Sequence, residues 1–271
     1  MATELRPMSV SELLDRAFFL YRRHFLLFIG IAALPNLILL MLRLALLEWE
    51  PSITFFWRFL AGLALIPVYL VISSIAQGAS IVAISDVHMG RSASIESAYA
   101  HVMKCVIDIF IASILVGIGI VFGCILFIVP GILLYLAWSL SAPVIVIEKL
   151  GPLDALPRSS KLTKGSRGRI FVVLLLALVF AWIVASIFQL PILYLAGVSR
   201  LLNPRAIPTW INALMQIANF LSTTLATPIS AIAISLIYYD QRVRKEGLDL
   251  QLLISTLKSD VQNSSDVSAV S

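Results

Sequence analysis

Charge is scarce in this chain. Only 13% of its 271 residues are Asp, Glu, Lys or Arg, while 60% are hydrophobic; a soluble domain carries about 25% and 45–50%. The mean hydropathy of +0.98 reflects more apolar surface than one water-facing globule can bury, which excludes an ordinary soluble enzyme. Cysteine is nearly missing. Cys105 and Cys124 share one apolar stretch and would lie roughly 28 Å apart on a helix, too far to bridge, so they read as packing residues. Histidine is limited to His24, His88 and His101, none with a partner at metal-ligand spacing. No phosphate-binding glycine loop, zinc-protease helix or nucleophile elbow occurs. The expectation is no catalytic residue, no cofactor and no metal. Ionisable residues also avoid the apolar stretches, where ion-coupled carriers keep them. Only Asp108, one turn beyond Lys104, comes near.

What is present is apolar length. A spanning helix needs about 20 predominantly apolar residues, and six stretches qualify: 25–42, 59–84, 106–128, 131–147, 170–198 and 210–239. The third and fourth meet at Val129, Pro130 and Gly131, where a fixed and a permissive φ predict a tight reversal. Residues 1–24 are polar or amphipathic, so no cleavable leader is expected.

Six spans put both ends on one side, and basic residues choose the side. Arg6, Arg16, Arg22 and Arg23 precede the first span, and Arg91 and Lys104 follow the second. Lys149, Arg158, Lys161, Lys164, Arg167 and Arg169 follow the fourth; Arg242, Arg244, Lys245 and Lys258 follow the sixth. The opposite face has Arg43, Arg58, Arg200 and Arg205. The positive-inside rule places both termini in the cytoplasm. The net charge of +5 is thereby a matter of topology and calls for no nucleic acid. Trp49, Trp57 and Trp210 fall near the opposite interface.

A pattern repeats. Val10, Leu13, Leu14, Ala17, Phe18 and Tyr21 form an amphipathic stripe begun by the Ser9–Glu12 capping box. Ile95, Ala98, Tyr99, Val102 and Met103 repeat it, and Leu153 and Leu156 give a weaker copy that Pro157 should shorten or bend. The expected architecture is an all-α integral membrane bundle of six spans. It has three pseudo-repeats of amphipathic surface helix plus transmembrane hairpin, with interfacial helices near 9–23, 94–104 and 152–163. The membrane domain should cover 1–252, and 253–271 should be a polar, disordered cytoplasmic tail.

Pro35, Pro67, Pro143, Pro191 and Pro228 lie within spans. Each removes a backbone donor that lipid cannot replace. They read as kinks in a packed bundle, or as broken helices around a cavity between repeats lined by Ser139, Ser141, Asn219, Thr223 and Thr227. The second helix of each unit exits on an acid: Asp86, Glu148, then Asp240. Tyr238, Tyr239, Arg242 and Arg244 read as an aromatic and cationic rim among headgroups. The loop Gly165–Ser166–Arg167–Gly168 reads as a flexible cytoplasmic segment.

Two segments carry a likeness. LGPLDALPRSSKLTKG from Leu150, with Glu148 before it, and LIYYDQRVRKEGLDL from Leu236 resemble the membrane domain of glycerophosphoryl diester phosphodiesterases, as does the opening PMSVSELLDRAFFLYRRHF. Gln241 and Pro157 depart from that pattern. The resemblance covers most of 6–252 and implies a bacterial cytoplasmic membrane protein. In longer family members it implies a separate catalytic domain using histidine and carboxylates on a divalent cation. The 31 residues after Asp240 contain no such set, so hydrolase activity does not carry over.

The functional expectation is a non-catalytic multipass scaffold or regulator. It would contact the bilayer, anionic lipid headgroups or an envelope protein through Arg158, Lys161, Lys164, Arg167, Arg242 and Arg244. The rival is a small-solute or lipid transporter.

Overall fold

The computed structural model describes residues 8–47, 55–202 and 208–247. Its elements are α1 (Val10–Arg23), α2 (Phe25–Leu47), α3 (Phe55–His88), α4 (Ile95–Val102), α5 (Val106–Leu126), α6 (Ile128–Trp138), α7 (Ser141–Glu148), α8 (Pro152–Thr163), α9 (Arg167–Leu202) and α10 (Thr209–Glu246). Six stretches are long and apolar enough to cross a bilayer: Phe25–Ala45, Leu65–Val87, Val106–Leu126, Ile128–Glu148, Arg167–Leu201 and Thr209–Glu246. The protein is an all-α multipass bundle. The expected tail, Trp49 and Arg205 lie outside the described residues.

The short helices form for the expected local reasons. In α1 the Ser9 side chain caps the Glu12 amide and the Glu12 carboxylate accepts from the Ser9 amide, closing the capping box. Leu13, Ala17, Leu20 and Tyr21 are buried, and Phe18 meets Phe180 of α9 edge to face at 5.4 Å. Helix α4 buries Ala98 and Val102. Helix α8 departs from expectation. It continues through Pro157 to Thr163 and buries Ala155, Ser159, Leu162 and Thr163, whereas Leu153 is exposed. Its inner stripe is half hydroxyl, and for that reason hydrophobic periodicity marks it poorly.

These helices close a cycle. Each packs against a hairpin of the preceding unit: α4 on α3, α8 on α6 and α7, and α1 on α10. First and last elements meet, so the three units hold one another around a centre occupied by the basic end of α10. The most apolar 18 residues of α10 are two-thirds buried, against 17% for those of α5.

The third and fourth spans turn earlier than Pro130. Phe127 is the extended residue (φ −165°, ψ 152°) between α5 and α6. Pro130 is the third residue of α6, where its missing N–H is one of the orphan donors of a helix start. Gly131 is buried in α6, and a Cβ at Gly123 would come 2.9 Å from the Gly131 Cα. The pair of glycines lets the two backbones approach. The fourth span is broken again after Trp138, and Pro143 takes the third position of α7. The two prolines thus start helices instead of kinking one.

Candidate functional site

The last two turns of α10 form an ionic hub. Asp240, only 1% exposed, accepts from Arg169 of α9 at 3.0 Å and from Arg244 at 3.0 Å, and its second oxygen accepts from the Met8 amide at 2.9 Å. Arg169 and Arg244 also donate to the Met8 carbonyl. One turn away, Glu148 at the end of α7 receives Arg158 of α8 at 2.8 Å and the Tyr238 hydroxyl at 2.9 Å. Glu246 receives Arg158 at 2.5 Å and Arg242 at 3.0 Å. Lys245 donates to the carbonyls of Lys161 and Lys164, and Tyr239 bonds Ser85 of α3 at 2.7 Å. Gly247 ends the helix at φ 59°, a conformation glycine adopts without steric cost. Arg158 is held more firmly protonated than usual by its hydrogen bonds to Glu148 and then Glu246.

Five elements are tied to one helix end, and that end is closed. Tyr238 and Tyr239 are fully buried, so they form no headgroup rim. Of the six cations expected to meet headgroups, Arg158, Arg242 and Arg244 are held by carboxylates. Lys161 and Lys164 are exposed, and Arg167 is half-buried with its Nε unbonded. Helix α10 rises about 57 Å over its length, well beyond a hydrocarbon core of about 30 Å. Charges at its end therefore sit at headgroup level, where burying them costs less than at the midplane.

On the other side of this floor lies a cavity of about 210 Å³ among α2, α3 and α10. Its polar lining is Asn36, Arg43, Tyr69, Ser73, Gln216, Asn219, Thr223 and Thr227, beside Leu39, Leu40, Ala76 and Phe220. Some of these groups bond locally: Ser73 donates to Leu70 O at 3.0 Å and Thr223 to Asn219 O at 2.8 Å. Asn36 donates to the Thr224 hydroxyl at 3.4 Å, and Arg43 donates to the Gln216 side-chain Oε1 at 3.5 Å. The Asn219 amide and the hydroxyls of Thr227 and Tyr69 bond no described residue.

The five residues expected to line one cavity fall in two places. Asn219, Thr223 and Thr227 line the α2–α3–α10 cavity. Ser139 and Ser141 line a separate one of about 220 Å³ between α3, α5, α6–α7 and α10, with Gln77, Ser113 and Tyr135. Sequence reading missed Asn36, Arg43, Tyr69, Ser73 and Gln216. Two lie on α2, two on α3 and one on α10, and only the register between these spans reveals that they converge.

Four surface-helix hydroxyls serve another purpose. Tyr99 of α4 donates to Ile31 O at 2.5 Å, the carbonyl that Pro35 deprives of its donor. Tyr21 of α1 donates to Leu225 O at 3.1 Å, in the turn before Pro228. At the α6–α7 break, Ser159 and Thr163 of α8 donate to Ala137 O at 2.8 and 3.3 Å, while Ser159 accepts from the Leu140 amide. Burial pushes the Tyr99 phenol up to about 12, so it remains a donor at neutral pH.

The thiols of Cys105 and Cys124 are free, and burial pushes that of Cys105 up. Among the described residues no three His, Cys, Asp or Glu side chains converge. No family model matches the chain, and no curated protein or solved structure matches it significantly.

Proposed function

We propose that this protein is a non-catalytic transporter-type protein of the bacterial cytoplasmic membrane, with both termini cytoplasmic. In this reading it handles a small polar solute or a lipid headgroup in the α2–α3–α10 cavity. One observation carries this: eight polar side chains from three spans converge on one cavity, above an end sealed by buried tyrosines and ion pairs. A binding space open on one side and closed on the other is the arrangement alternating access requires. The orientation rests on the positive-inside count. The relation to the phosphodiesterase membrane domain is supported by the fact that its two motif segments meet in the hub, Glu148 and Arg158 against Tyr238 and Glu246. The scaffold reading needs free cations on the basic face, and three of its six are already engaged.

The test is cysteine accessibility in a background lacking Cys105 and Cys124. A membrane-impermeant maleimide added outside spheroplasts should label Asn219→Cys and Thr209→Cys, and label Ser166→Cys only after permeabilisation. Silence at Asn219→Cys from both sides means dry packing and removes the transport reading. Labelling of Ser166→Cys from outside reverses the orientation.

A further inference from the structure

We infer that the α2–α3–α10 cavity receives a small anionic group, a phosphate or carboxylate, on Arg43. This rests on the proposed cavity and names what it takes. Among the described residues of the lining, Arg43 is the one that is ionised, and none is Asp or Glu. Its guanidinium has five donors in a planar fork suited to oxyanions. Among the described residues its only hydrogen bond is the 3.5 Å contact to the neutral Gln216 oxygen. Arg43 lies in the last turn of the first span, and a bound anion would balance its charge there.

The other lining groups point to the same chemistry. The Asn219 amide and the Tyr69 and Thr227 hydroxyls are donors with no acceptor among the described residues, suited to the remaining oxygens of an anion. A cation would find no carboxylate among the described lining residues. Size narrows the class further. About 210 Å³ is the share of roughly seven waters and lies below the about 300 Å³ at which drug-sized pockets begin. The space holds a phosphate, a small carboxylate or the head of an anionic lipid whose chains stay in the bilayer. It does not hold a nucleotide.

Thermal unfolding of the detergent-purified full chain tests this with two probes. Inorganic phosphate represents the free anion, and phosphatidylglycerol in mixed micelles, with phosphatidylcholine as control, represents a lipid head. One of them should raise the wild-type Tm in a saturable way. Arg43→Gln and, independently, Thr227→Val should each weaken that response about tenfold or more, the range of a charge-assisted hydrogen bond. Arg200→Gln, an exposed arginine of α9, should leave it unchanged. A response to phosphate identifies a soluble anion, and one to phosphatidylglycerol alone identifies a headgroup. Failure of both probes to stabilise the wild type overturns the proposal, as does equal loss in Arg43→Gln and Arg200→Gln or full retention in Thr227→Val. If Asn219→Cys is still labelled, the cavity reading survives that failure; if it is not, both fall.

Discussion

The Tyr99 hydroxyl lies 2.5 Å from the Ile31 carbonyl, the group that Pro35, four residues along α2, leaves without a helical donor. A side chain of one repeat thus mends a backbone defect in another. An unsatisfied carbonyl at that depth costs about 1–3 kcal/mol, so the contact is a structural clasp with a readable energy.

Tyr99→Phe should lower stability by about 1–2 kcal/mol, measured as a fall in Tm in detergent. Pro35→Ala restores the main-chain donor, and in that background the cost should largely vanish. A double-mutant cycle returning no coupling would refute the clasp. The pH dependence has a definite sign. The folded phenol titrates at about 12, above its ordinary value of 10.0, because burial disfavours the phenolate. Its contribution is fully present below pH 10 and is lost as pH rises through about 12.

Ser159→Ala should cost about 2 kcal/mol, because one hydroxyl serves both Ala137 O and Leu140 N at the α6–α7 break. Ser139→Ala removes a bond only to Leu136 O within its own helix and should cost well under half as much. Denaturation of the two variants side by side decides this.

Neighbouring hub residues should respond with different size. Asp240→Asn leaves Arg169 and Arg244 without their carboxylate and should destabilise by about 3 kcal/mol. Gln241 is also fully buried, but its Oε1 has no partner and its Nε2 donates to Asp240 at 3.2 Å. Gln241→Leu trades that bond for relief of a buried unsatisfied oxygen, and Tm should move by the equivalent of less than about 1 kcal/mol.

Gly117→Ala and Gly119→Ala lie two residues apart on α5 and should part ways. A Cβ at Gly117 meets nothing within 4 Å, so alanine should be neutral or add about 0.5–1 kcal/mol through helix propensity. A Cβ at Gly119 would collide with the Trp138 ring and should cost about 1–3 kcal/mol by overpacking. Quenching of Trp138 fluorescence, compared with a Trp138→Phe control, reports the displaced ring.

The sequence by itself determined the spans, the surface helices and the acids at the hairpin exits. Those features depend on residues within one helix, where hydropathy and capping act locally. Tertiary structure decided what local pattern is blind to. Tyr21 and Tyr99 sit in apolar stripes, and only the cyclic packing of the repeats turns their hydroxyls toward the Leu225 carbonyl, in the turn before Pro228, and the Ile31 carbonyl that Pro35 frees. Tyr238 looked like an interfacial anchor and is buried, because Glu148 and Arg242 arrive from both sides to satisfy its hydroxyl. Arg43 read as a loop charge and lines a cavity, because the hairpin of the first unit and the last helix of the third leave a space at its depth. A polar group's role in a membrane is set by which neighbour faces it, and that neighbour is chosen by how the helices pack.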